Sequence, residues 1–338
     1  MDLNTIWFLL IGFYLIGYAI LDGFDLGVGF LSLFARRPQE KQAYLNAIGP
    51  VWDGNEVWII TGGASLFAAF PLVYATVFSG YYIALMLLLV ALIARAVAIE
   101  YRGKVSSPKW WRFWDWAFGI GSALPMILFG VAFGNVLRGL PIDADGMWAG
   151  SFLGLLNPFS ILVGLVTGAL FVMHGALYLG IKFDPPLSDR LGKWITGAWA
   201  AFLGLYLAAT AVAVVFYRHL FAGWTGNAWS WILVTALTMA LAYLPIAAGR
   251  RQYFRGFMAS SVVIFSVLGL SGISLYPRIV PSSIDLDYSL TIYNAASSEK
   301  GMMAMLVITL IGLPLVLGYT IYVYRVFKGK VKMGEGVY

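Results

Sequence analysis

The sequence predicts an all-α, polytopic bundle of membrane-spanning helices. Three observations carry that expectation. Of 338 residues, 61% are hydrophobic and only 11% charged, whereas soluble domains carry roughly a quarter charged residues. Nine stretches reach the roughly 20 apolar residues that a span requires. Lysine and arginine, finally, fall almost wholly into alternate connections between those stretches. Residues 1–338 thus read as a single transmembrane domain, with no room for a sizeable soluble unit.

The expected spans are 6–34, 55–77, 78–99, 114–136, 156–179, 194–216, 228–248, 257–276 and 302–324. The start Met1-Asp2-Leu3-Asn4 has no basic region and no small-residue cleavage site follows, so the first stretch reads as a retained helix. The second and third are separated only by an uncharged stretch, 71–80, expected to be a tight turn. Gly62, Gly63 and Pro71 interrupt the second; were it re-entrant, the count would be eight.

Odd-numbered connections hold Arg36, Arg37 and Lys41, then Arg102, Lys104, Lys109 and Arg112, then Lys182, Arg190 and Lys193, then Arg250, Arg251 and Arg255. The tail adds Arg325, Lys328, Lys330 and Lys332, while even-numbered connections hold only Arg138, Arg218, Arg278 and Lys300. Basic residues in short loops mark the cytoplasmic side, so the N-terminus is expected outside and the C-terminus inside. The net charge of +6 is therefore topological and gives no support for a nucleic-acid partner. Trp110, Trp111, Trp114 and Trp116, and Trp224, Trp229 and Trp231, sit near expected helix ends as an interfacial belt does. The longest non-helical connection is expected at 277–301.

Chemistry concentrates in two stretches. Leu21-Asp22-Gly23-Phe24-Asp25-Leu26-Gly27-Val28-Gly29 places two acids on one helix face. Counted back from Phe34, Asp25 lies roughly 13 Å deep at 1.5 Å per residue. A lone carboxylate there must be protonated or paired. Gly23, Gly27 and Gly29 permit close backbone approach. The second stretch, Gly49 to Gly63, carries Trp52, Asp53, Asn55, Glu56 and Trp58 at the cytoplasmic entrance of its helix. Acids in a first turn suit the helix dipole, and Asp53 could cap it. Arg95 is the one basic residue inside an expected span, and Asp22, Asp25 or Glu56 could pair with it. Asp53 at the surface and Asp25 deeper would form a two-step path for protons.

The absence of cysteine excludes disulfides, thiolate haem attachment and cysteine-held metal clusters. Only His174 and His219 occur. His174 is mid-span and alone, which rules out bis-histidine haem ligation within this chain and favours a helix-contact role over iron or proton chemistry.

These residues resemble a known family. Gly23-Phe24-Asp25-Leu26-Gly27-Val28-Gly29 and Trp52-Asp53-Gly54-Asn55-Glu56-Val57-Trp58 are similar to motifs of subunit II of cytochrome bd quinol oxidase. So are Phe67-Ala68-Ala69-Phe70-Pro71, Glu100-Tyr101-Arg102-Gly103-Lys104, Trp114-Asp115-Trp116, Gly134-Asn135, Asn157-Pro158 and Pro281-Ser282-Ser283. The resemblance covers nearly the whole chain. It implies a subunit of a prokaryotic cytoplasmic-membrane terminal oxidase that oxidises quinol and reduces O₂ to water. Two b-type haems and one d-type haem are implied in partner subunit I, with this chain supporting assembly and haem retention. Asp25 and Asp53 would be the proton-path acids, Trp52 would lie near the subunit interface, and Trp58 would border a gas route. Asp22, Asn55, Glu56 and Arg95 would support them. The family leaves room for a small single-helix accessory subunit and a structural quinone, neither of which this sequence marks. A proton-coupled secondary transporter is the competing reading. Such proteins often show broken helices in matching halves, and the second half here has no counterpart to the acidic stretches.

Overall fold

The computed structural model describes residues 1–331; Lys332, counted above with the basic tail, lies outside them. Among the described residues there are eleven helices and one short hairpin: α1 (Leu3–Ser32), α2 (Pro38–Ile48), α3 (Trp52–Ala69), α4 (Pro71–Gly80), α5 (Tyr82–Tyr101), α6 (Pro108–Arg138), α7 (Pro158–Lys182), α8 (Leu187–Phe216), α9 (Ala228–Gly249), α10 (Tyr253–Leu275), β1 (Arg278–Val280), β2 (Leu290–Thr291) and α11 (Glu299–Val326). Eight of them, α1 and α5 to α11, are each long and apolar enough to cross a membrane.

The second expected span does not run as drawn. It breaks at Phe70, and α4 turns away from α3 by 120°. Proline explains the break. Pro71 has no N–H to continue the ladder and disfavours helical geometry at Phe70, yet suits the first turn of a new helix. The chain at 71–80, expected as a tight turn, is accordingly the helix α4. The N–H of Ser297 takes up the free carbonyl of Ala69 at 2.8 Å. Before the break, α3 follows α1 antiparallel. Asn55 lies beside Leu21, Trp58 against Gly17 and Gly62 against Tyr14, and Ala69 shares a packed cluster with Trp7. Eighteen residues in that path span about 27 Å, close to a hydrocarbon core of about 30 Å. A ninth crossing is reached only if α3 and α4 are taken together as one broken span.

Helices α1 and α7 form the axis of the bundle. α7 touches α1, α2, α6, α8 and α10 and is buried along most of its length. Glycine makes the central contact, as the sequence predicts. A Cβ on Gly27 would lie 1.9 Å from the carbonyl oxygen of Phe171, and one on Gly175 would lie 2.7 Å from the backbone of Gly27. We expect Gly27→Ala to cost about 3 kcal/mol or more through forced separation of the two backbones. Gly63→Ala, with nothing within 4 Å, should be neutral or slightly stabilising. Thermal unfolding of the two purified variants checks this.

Two further elements pin the ends. α2, in the first connection, buries Tyr44, Ala47 and Ile48, and the Tyr178 hydroxyl donates to Ala47 O at 2.9 Å. At the same end Arg102 Nε donates to Asp115 at 2.6 Å, Lys41 lies 3.3 Å from Asp115, and Arg190 holds Glu40 at 2.6 Å. At the opposite end the expected irregular connection folds into the β1–β2 hairpin, packed with Trp7, Phe70 and Leu140. Trp116, Trp229 and Trp231 are exposed, in keeping with a belt.

Candidate functional site

The acids of α1 meet the third-span arginine in the interior. Asp22 and Arg95 are both fully buried and join as a two-pronged pair, with Nη2 to Oδ1 at 2.6 Å and Nη1 to Oδ2 at 3.0 Å. Arginine's planar fork makes this geometry available. Glu56 Oε1 lies 3.2 Å from Arg95 Nη1, within ion-pair range but without hydrogen-bond alignment. Of the three acids the sequence left open as partners for Arg95, the structure chooses Asp22 and Glu56.

Asp25 takes a different partner. Its Oδ2 accepts from Asn55 Nδ2 at 2.7 Å, and the same amide nitrogen donates to Leu21 O at 3.0 Å. The other end of Asn55 is fixed by Tyr324, whose hydroxyl donates to Oδ1 at 3.0 Å. Nothing in the local sequence points to Tyr324, which lies 269 positions from Asn55 near the C-terminal end of α11. Asp25 Oδ1, Glu56 Oε1, Arg95 Nε, Tyr18 OH and Trp58 Nε1 are buried without a hydrogen-bond partner. Buried polar atoms rarely stay unpaired without reason, so five in one region mark it as polar and hydratable.

Charge counting sets the chemistry. Asp22 and Glu56 lie within ion-pair distance of one guanidinium, while Asp25, three residues from Asp22 on the same helix face, is held by Asn55 instead. Ionised carboxyls with so little cationic compensation are costly in a medium of low dielectric.

Asp53 stands apart. It is exposed in the first turn of α3, where the helix dipole favours it. It does not cap the helix, because the N-cap position is Val51 and carries no side-chain hydrogen bond. Capping needs the side chain one position before the helix, and the helix begins too early for that. Trp52 is half-buried against the main core, and Trp58 is buried with Tyr14 and Tyr18.

His174 is a helix-contact residue, as expected. Its Nε2 donates to Ile20 O at 3.0 Å, its Nδ1 lies 2.6 Å from Ser260 Oγ, and its ring stacks on Phe257. With both nitrogens engaged it has none to offer iron. Among the described residues no three His, Asp or Glu side chains gather as metal ligands. His219, outside the spans, contacts Leu137 O at 3.2 Å, and its burial holds the imidazole below its ordinary pKa.

The remaining motifs are fasteners. Asn157 Nδ2 donates to Asn135 Oδ1 at 2.8 Å, Asn135 donates to Leu155 O, and Ser282 Oγ donates to Ile142 O at 2.7 Å.

Comparison with known proteins agrees with this architecture. The family model described as cytochrome bd terminal oxidase subunit II matches residues 3–327. Cytochrome bd-I ubiquinol oxidase subunit 2 of Escherichia coli K12 is 36% identical, with 97% of this chain and 95% of that protein covered. Cytochrome bd ubiquinol oxidase subunit 2 of Bacillus subtilis is 34% identical, with 99% and 98% covered. The solved bd oxidase of Geobacillus thermodenitrificans superposes with a TM-score of 0.80 at 19% identity, covering 97% of this chain and 99% of its own, which speaks to fold alone. With residues 3–327 matching that one family model and relatives at 36% and 34% identity covered almost end to end, this chain is a member of the cytochrome bd terminal oxidase subunit II family.

Proposed function

We propose that this chain is the haem-free subunit of a quinol:O₂ oxidoreductase in a prokaryotic cytoplasmic membrane, and that it carries protons from the cytoplasm toward the partner's haem site. The haems of subunit I would supply electron transfer and O₂ reduction. What this chain's residues do is hold and move protons. Reduction of O₂ to water consumes protons, and a bilayer admits them only along polar groups. The observation that carries the reading is the cluster in which Arg95 meets Asp22 and Glu56 while Asp25, one turn from Asp22, is held by Asn55.

With the N-terminus outside, the charged end of α3 faces the cytoplasm. Asp53 then gathers protons at the surface, and Glu56 stands one turn further along the same helix face. Asn55 and Tyr324 hold Asp25 for the inner step. Arg95 holds Asp22 in place through its two-pronged pair, while Asp25, whose hydrogen-bond partner is the neutral amide of Asn55, is the group free to gain and lose a proton. A transporter reading loses its ground, since the family match runs through nearly the whole chain. Assembly and haem retention follow from the same placement, with quinol and O₂ as the complex's substrates.

The test begins with the complex purified gently from its native membrane. A reduced-minus-oxidised spectrum should show haem accompanied by a larger partner, and the signal should be absent from this chain alone. Within that complex, Asp53→Asn should slow quinol-driven O₂ uptake. Water can substitute for an exposed relay, so the loss should be roughly 10-fold, below the 10²–10⁴ of a positioned proton donor. Unchanged turnover and unchanged charge translocation in a variant with full haem content would remove Asp53 from the path.

A further inference from the structure

Outside the proton site, a groove of about 630 Å³ runs between α5 and α6 on the outer face of the bundle. Its lining follows one stripe of α6 at three- and four-residue spacing. Lys109 and Arg112 stand at one end, Phe113 and Trp116 come next, and Ile120 and Leu124 line the rest. The floor is made of small residues. Ala91 and Gly121 bring the two helices so close that a Cβ on Gly121 would lie 2.7 Å from Ala91 O. The order along the stripe is cation, aromatic, aliphatic, which is the order of phosphate, interface and acyl chain in one lipid leaflet.

We propose that this groove binds one anionic phospholipid, with its phosphate on Lys109 and Arg112 and an acyl chain along Phe113 to Leu124. Two measures support that occupant. The apolar part from Phe113 to Leu124 covers eleven helical steps, about 16 Å, which matches half of a hydrocarbon core of about 30 Å. The charges at its head are uncompensated: neither Lys109 nor Arg112 forms an ion pair among the described residues. The nearby Asp115 is already held by Arg102 and Lys41. A headgroup with net negative charge complements both cations; a zwitterionic one brings its own positive charge to the same place.

The experiment uses the intact oxidase complex in detergent, stripped of lipid and titrated with phosphatidylglycerol or phosphatidylcholine while native mass spectrometry counts bound lipid. Wild type should retain one phosphatidylglycerol and discriminate against phosphatidylcholine. Lys109→Gln with Arg112→Gln should weaken retention on the order of 30-fold, the product of two phosphate contacts at an anionic headgroup. Ile120→Trp, which fills the groove and leaves both charges, should also lose the lipid. Lys193→Gln with Arg255→Gln removes equal charge away from the groove and should change nothing. Equal retention in the groove variants, or equal binding of the two lipids, would overturn the assignment. So would a photoreactive residue at Ile120 that crosslinks to the partner polypeptide and not to lipid.

Discussion

Replacing Arg95 with methionine should prevent the folded subunit from accumulating. Among the described residues the guanidinium is the one cation paired with Asp22, and both side chains are fully buried. Removing one member of a buried pair leaves the other's charge uncompensated, at a cost of about 3–5 kcal/mol. Native stabilities are only about 5–15 kcal/mol, so a loss of that size should be visible as a fall in recovered, haem-loaded complex. Arg95→Lys keeps the charge but not the fork and should fall between. The decisive comparison is Asp22→Asn combined with Arg95→Met. Removing both charges restores compensation, so the double variant should recover more complex than Arg95→Met alone. A double variant no better than the single one would mean that Arg95 acts through something other than its pairing, and the coupling energy of the cycle reads this directly.

Asp25→Asn should do the reverse, sparing the fold and stopping the chemistry. The substitution is nearly isosteric, and an amide at this position can rotate its oxygen to accept from Asn55 Nδ2, as Asp25 Oδ2 does at 2.7 Å. What it loses is the exchangeable proton. Turnover should fall by about 10²-fold or more, the range for a positioned proton-transfer group, with haem content and quinol affinity unchanged. Quinol-driven O₂ consumption together with proton uptake in vesicles measures both sides. Tyr324→Phe removes the hydroxyl that fixes Asn55 and should give a smaller loss. Should Asp25→Asn turn over and translocate charge like the unaltered complex, the acid would be left with a packing role only.

Which parts of this were readable from sequence follows from the range of the interactions. The spans were legible because apolar length is a local property. So was the glycine seam, since Gly23, Gly27 and Gly29 stand together in one helix. Pro71 was visible, but the 120° turn after Phe70 was not. Its direction is fixed by distant contacts such as Ser297 to Ala69 O and Thr76 to Gly146 O at 2.8 Å. The need for an acid beside Arg95 was certain on electrostatic grounds, yet the choice among three acids depends on how α1, α3 and α5 are rotated against one another. α2 was hidden because its eleven residues are too few to stand out as a span, although six of them are buried. Asp53 could be read as a cap or as a first-turn acid, because the two look alike in sequence and differ by one or two positions in where the helix starts; the structure places it in the first turn. Several motifs that resembled the family turned out to join helices: Arg102 to Asp115, and Asn135 to Asn157.

The last helix adds a consequence in time. Among the described residues, α11 is barely buried, with 6% of its apolar window covered, and it is held near its two ends. Trp7 donates to Met302 O at 3.2 Å, and Lys182 donates to Phe327 O at 2.5 Å. Chains emerge from the ribosome N-terminus first. The acids of α1 and α3 and the arginine of α5 are thus made long before Tyr324. Until α11 has been made, Asn55 lacks its clasp and the carboxyl it steadies is unsupported. A chain broken off anywhere before α11 therefore carries the whole charge cluster without the residue that closes it.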